Sequence, residues 1–258
     1  MTTSFLRVAH RGGSRLAPEN TLAAFRNALT LPVDAIEMDV HMSRDGFPVV
    51  IHDNTVERLT NGEGNILDLD LASLRSLNAA AHFSGGWPIE EQIPTLREVL
   101  DLTQKRVQVL IEIKTSKRDG VEGRYPNIAE AIINELRATS MLELAIIISF
   151  DWQVLPIVKE LEPTLATGAL VSDSLWDPQA EHAIDTLIEQ IKPLGCEWIS
   201  LDHKFFTPDM PTLLHAQDLR LGLWTVNTLE RLQYFAAAGV NSLTTDRPDF
   251  FSQVWVDD

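Results

Sequence analysis

The stretch 35-AIEMDVHMSRDGFPVVIH-52 decides how this chain folds. Residues 35–40 read as a strand. Asp45-Gly46 is a strong hairpin signal. The next apolar run, 48–52, follows too closely for a parallel crossover, which needs about a dozen residues. It should therefore fold back antiparallel on the strand before it. With Asp45-Gly46 as a two-residue loop, His52 stands opposite Asp39; with a four-residue loop it stands opposite Glu37. Residues two apart on a strand share a face. Either register puts His52 on the face that carries both carboxylates.

Outward from this hairpin, short strand-like runs alternate with helical patterns. Strands are expected at 7–10, 35–40, 107–114, 145–150, 165–171, 198–202, 221–226 and 242–245. Helices are expected at 21–31, 95–103, 128–138, 153–162, 180–191, 209–217, 229–238 and 248–254. Eight strands with interleaved helices predict an α/β protein with a (β/α)8 TIM-type barrel. An open doubly wound sheet is the alternative. The length of 258 residues fits one barrel domain spanning 1–258. Segment 54–93 is long for a plain connection. It reads as a small insertion after the second-strand hairpin, an inserted subdomain over the barrel mouth.

The composition is that of an ordinary globular chain, 45% hydrophobic and 22% charged. Cys196 is the only cysteine, which rules out an intrachain disulfide, and it is best read as a buried or semi-buried thiol. The opening residues, MTTSFLRVAHRG, lack the pattern of a signal peptide, and no apolar run approaches a membrane span. A cytoplasmic location is the expectation. The formal net charge of −16 disfavours nucleic acid and anionic membrane surfaces as partners. An anionic substrate would then need a local positive centre.

Barrel enzymes place their chemistry at the carboxyl ends of the strands. Here those ends carry His10 and Arg11, Glu37 and Asp39, Glu112 and Lys114, Trp224 and Asp246. Glu37 and Asp39 share a face, as do Glu112 and Lys114. Three inward carboxylates repel unless a cation neutralises them. An all-oxygen set without thiols favours one hard divalent cation, Mg2+ or Ca2+. With Arg11 and Lys114 that ion would make a positive focus suited to a phosphate. His10 and His52 would then move the protons. The plain alternative is that the acids face solvent or pair with basic side chains. His41, His82, His182, His203 and His215 read as packing or capping residues. Asn20 reads equally as a helix N-cap, and Asp246 as a helix start.

The ordered segments VAHRGGSRLAPENTLAAF, AIEMDVHMSRDGFPVVIHDNTVERLTNGEG, IPTLREVL, VLIEIK, LWTVN and LTTDRP resemble the glycerophosphodiester phosphodiesterase family, of the cytoplasmic bacterial type. The resemblance spans nearly the whole chain. It implies metal-dependent hydrolysis of a small-molecule glycerophosphodiester to glycerol 3-phosphate and an alcohol. It makes His10 and His52 the acid/base pair, and Glu37, Asp39 and Glu112 the metal ligands. Arg11 and Lys114 become phosphate contacts, and Trp224 an aromatic near the glycerol end, although a barrel-core aromatic fits that position as well. The insertion's NAAAHFSGGWPIEE departs from its relatives, which leaves the alcohol side open. Two other functions remain. A lysophospholipase D would need an apolar channel near Phe83 and Trp87. A non-catalytic barrel that binds glycerophosphodiesters would need no proton transfer.

Overall fold

Aliphatic runs bounded by turn residues become strands when both of their faces can be covered. The computed structural model describes residues 5–118 and 121–254. Strand β1 is Leu6–Ala9, β2 is Ala35–Met42, and β3, Pro48–Val50, returns along β2. β4 is Gln108–Ile113, followed by a two-strand ribbon of β5, Ser116–Arg118, and β6, Val121–Gly123. Then come β7 Ala145–Ser149, β8 Ala166–Val171, β9 Trp198–Asp202, β10 Arg220–Trp224 and β11 Ser242–Thr245. The parallel order β1-β2-β4-β7-β8-β9-β10-β11 closes where β11 pairs with β1, Leu6 opposite Ser242. An open doubly wound sheet would leave two free edges, and this one has none between its parallel strands. The fold is the expected TIM-type barrel.

The helices are α1 Leu22–Ala28, α2 Leu71–Arg75, α3 Leu96–Thr103, α4 Ile128–Thr139, α5 Val154–Leu161, α6 Ala183–Ile191, α7 Met210–His215 and α8 Leu229–Ala237. Helix α3 starts on a capping box in which Thr95 and Glu98 satisfy each other's backbone N–H groups. The pattern at 248–254 forms a 3-10 helix, Pro248–Gln253, not an α-helix. On β2 the even positions Ile36, Met38 and Val40 pack outward against the helix layer. Ala35 faces inward with Val8, Leu110, Ile148 and Leu170. The odd positions of β2 therefore point into the barrel, toward its carboxyl end.

The hairpin corrects both expected registers. Ser43 N–H bonds the Phe47 carbonyl at 2.9 Å, so three residues, 44–46, form the loop. Gly46 takes the left-handed φ of +87° that such a loop requires and most side chains resist. Val40 then pairs with Val50, and Ile51 N–H bonds the Asp39 carbonyl at 3.0 Å. Continued, this ladder would set His52 opposite Met38, on the wrong face. The strand stops first, and the turn after Ile51 carries His52 to the acids.

Residues Val56, Ile66, Leu74, Ala79 and Ile93 form an apolar cluster with Val49 and Ile51, apart from the barrel's own core. Cys196 is buried, and burial pushes its thiol up to about 11, so it stays protonated and inert at neutral pH. Among the described residues no helix is long and apolar enough to cross a membrane.

Candidate active site

Register alone brings the three acids together. β2 and β4 run parallel with Asp39 beside Glu112, and Glu37 lies two residues back on the same face as Asp39. One oxygen from each of Glu37, Asp39 and Glu112 lies within 4.8 Å of the others, and all three residues are buried. Burial pushes the Glu37 carboxyl well above its usual range, and the charges of Asp39 and Glu112 add to that. Glu112 is raised by burial against the pull of Lys114. Asp39, also buried, is held well below the ordinary value by Lys114 and Arg11.

Lys114 Nζ lies 2.6 Å from Glu112 Oε1 and 2.9 Å from Asp39 Oδ1. The second contact is off the hydrogen-bonding angle, so the buried Oδ1 has no hydrogen-bond partner. Arg11 Nε lies 3.1 Å from Asp39 Oδ2, and its NH1 donates to Glu19 at 3.0 Å. The Arg11 backbone N–H donates to Glu37 Oε2 at 3.0 Å. That contact needs the tight turn His10–Gly12, in which Gly12 has φ +79° and a Cβ would meet Ala24 at 2.8 Å. The donor set of the three acids is all oxygen, with Glu37 and Glu112 raised toward protonation and Asp39 Oδ1 left without a hydrogen-bond partner. This fits a hard divalent cation rather than zinc.

Two imidazoles, His10 and His52, line the same cavity as Glu37 and Glu112. His10 Nδ1 bonds Asp246 Oδ1 at 2.6 Å, and its Nε2 lies 3.9 Å from Glu37 Oε2. His52 Nδ1 bonds Asp53 Oδ1 at 2.5 Å. In both rings the carboxylate fixes the proton on Nδ1 and leaves Nε2 as the acceptor nitrogen. Asp246 is held in turn by Ser14 and Asn227, both at 2.7 Å. Asp53 is held by Arg58, which also grips Glu19.

All eight residues expected at the site lie around one inner cavity of about 240 Å3, except that Asp39 lies behind its wall. Trp224 faces this cavity, stacks edge-on against Phe150 at 5.5 Å and donates its indole N–H to the Ser200 carbonyl. Two readings are corrected. Asn20 is not the cap of α1; Thr21 is, and Asn20 donates instead to Asp39 Oδ2 at 2.7 Å. Asp246 starts no helix, because Arg247 holds that position and Asp246 holds His10. Asp53, part of the His-Asp pair in the sequence but assigned no role from it, is the partner of the His52 ring.

His41 is buried, as expected of a packing residue, and it also ties the site together. Its Nε2 lies 2.9 Å from the His52 carbonyl and must donate, so Nδ1 accepts from Tyr125 Oη at 2.7 Å. Burial pushes this ring down to about 4, so it is neutral at pH 7. Tyr125→Phe would leave His41 Nδ1 without a partner. The expected cost is about 1–3 kcal/mol of stability, read from urea unfolding. An unchanged midpoint would contradict this hydrogen-bond assignment.

Polar chemistry gathered at the carboxyl end of a closed parallel barrel places the protein among the barrel enzymes. Residues 10–250 match the Glycerophosphoryl diester phosphodiesterase family. A glycerophosphodiester phosphodiesterase of Caldanaerobacter subterraneus subsp. tengcongensis is 38% identical over 95% of each chain. A putative glycerophosphoryl diester phosphodiesterase from Agrobacterium tumefaciens superposes with a TM-score of 0.85 at 25% identity, covering 97% of both chains. A phosphodiesterase of Oleispira antarctica, solved in complex with the product sn-glycerol-3-phosphate, gives 0.80 at 26% identity, covering 96% of this chain and 95% of that one. The chain belongs to the glycerophosphoryl diester phosphodiesterase family.

Proposed function

We propose that this chain hydrolyses glycerophosphodiesters to glycerol 3-phosphate and an alcohol, with His10 and His52 as the acid/base pair. The observation that carries this reading is the matched pair of carboxylate-tethered imidazoles lining one cavity with the buried acids. One imidazole Nε2 takes the proton from the oxygen that attacks phosphorus. The other gives a proton to the alcohol oxygen as its bond to phosphorus breaks. Glu37, Asp39 and Glu112 would hold one divalent cation, Mg2+ or Ca2+, which supplies charge neutralisation at the phosphate oxygens when bound. Arg11 and Lys114 bind the phosphate, and Trp224 borders the glycerol end.

Segment 54–93 acts as an inserted subdomain over the mouth, a reading supported by its own apolar cluster and by Arg58, which reaches down to Glu19 and Asp53. A lone protonated thiol and a charge of −16 fit a cytoplasmic enzyme with no nucleic-acid partner. A lysophospholipase D gains no support from Phe83 and Trp87, which pack edge-to-face on each other and do not line the cavities beside His52.

The test is release of glycerol 3-phosphate from glycerophosphoglycerol and glycerophosphocholine, with Mg2+, with Ca2+ and after chelation. Release that depends on the cation is expected. No release from either ester with either ion would end this reading.

A further inference from the structure

A second, wider cleft of about 850 Å3 opens beside the inner cavity. The two share His52, Glu112, Lys114 and Phe150. A diester whose phosphorus sits at those groups sends one substituent into each. The inner cavity has roughly the share of eight liquid waters and an apolar floor of Leu110, Ile148 and Leu170, so it takes only a short carbon chain. The outer cleft lies within the usual range for a small-molecule site and takes the part that can vary.

We propose that this cleft is the alcohol subsite and that it selects neutral, polyhydroxylated alcohols over cationic or acylated ones. The inference rests on the phosphodiesterase reading above and names its substrate class. The charges in the wall are already spent on one another. Arg124 binds both oxygens of Asp151, at 2.5 and 2.8 Å. Both oxygens of Asp53 are taken by His52 and Arg58. The groups left for a ligand are neutral, namely Asn54, Thr115, Gln153, Ser172 and Ser174, and the two serine hydroxyls lie 2.7 Å apart. Hydroxyl groups on a ligand match such a wall as both donors and acceptors.

A quaternary ammonium is recognised by a cage of aromatic faces. Among the described residues lining this cleft, Phe150 is the one phenyl ring, and Trp224 abuts it edge-on. An acyl chain needs continuous apolar lining. Here Ile113 and Leu175 are separated by polar groups. The wall is also held in place. Tyr125, next to Arg124, is 3% exposed and bonds His41, which bonds the His52 carbonyl. The ribbon β5–β6 that leads to Arg124 and the catalytic imidazole are thus set in one frame.

The experiment compares kcat/KM for glycerophosphoglycerol, glycerophosphoinositol, glycerophosphocholine and lysophosphatidylcholine, in the wild type and in a Ser172→Ala/Ser174→Ala double variant. Two neutral hydrogen bonds at about threefold each predict a preference of about tenfold for the two polyol esters over the choline ester. Lysophosphatidylcholine should be slower still. The double variant should shrink the polyol-to-choline ratio about tenfold, chiefly through KM. A ratio is insensitive to any fraction of the variant that fails to fold. Equal or better turnover of the choline ester, or a ratio unchanged in the variant, overturns the proposal while the phosphodiesterase reading stands. No turnover of any ester overturns both.

Discussion

His52→Ala is expected to lower kcat by roughly 10²–10⁴ with little change in KM, and His10→Ala to do the same; this is the range for loss of a general acid or base. On the proposed pairing the two rings serve one displacement, so the double variant should be little worse than the poorer single one. Asp53→Asn and Asp246→Asn keep the imidazoles but lose the carboxylates that fix the Nδ1 protons. Their losses should be smaller than those of the alanine variants. Steady-state kinetics on one glycerophosphodiester reads all of these. His52 is part-buried at the site rather than in the core, so its loss should not unfold the barrel. Wild-type kcat in His52→Ala would remove it from proton transfer.

The barrel was legible because strand and helix periods differ and because the strands alternate with helices along the chain. Glu37, Asp39, Glu112 and Lys114 were legible for a related reason: a two-residue period fixes which side chains share a face. His52 reached its expected place by another route. Hairpin registers of two and four loop residues share a parity, and Gly46 set a three-residue loop between them. The return strand then ended early. The tether from His10 to Asp246 spans 236 positions, and no local pattern says which distant acid meets which ring. The sequence marked Asn20 as the cap, whereas Thr21 takes that position and packing against Asp39 assigns Asn20 elsewhere. The ribbon β5–β6 begins Ser-Lys-Arg, with no apolar alternation to announce a strand.

Adding Mg2+ or Ca2+ to metal-free protein should raise Tm by about 5–10 °C. Ligand at a hundredfold over Kd contributes about 2.7 kcal/mol, and a chain of this size shifts roughly 2–4 °C per kcal/mol. Glu37 and Glu112 both have folded pKa values above the ordinary 4.5. An acid raised in this way binds its proton more tightly when folded, so its stability contribution is present at low pH and lost as pH rises above 4.5. Asp39, held low, acts in the opposite direction and loses its contribution on acidification. Metal-free protein should therefore weaken as pH climbs through the range where the two glutamates ionise, and a bound cation should remove that weakness. Glu37→Gln keeps the shape and deletes one of the three charges. It should raise the Tm of metal-free protein at pH 7, abolish most of the rise caused by metal, and cut activity by roughly 10² or more, because a ligand oxygen with full charge is gone. Differential scanning calorimetry with and without the ions reads the first two effects, and glycerol 3-phosphate release reads the third. A Tm indifferent to both ions in the wild type, or a Glu37→Gln variant that still gains the full shift, would show that these acids do not hold the cation.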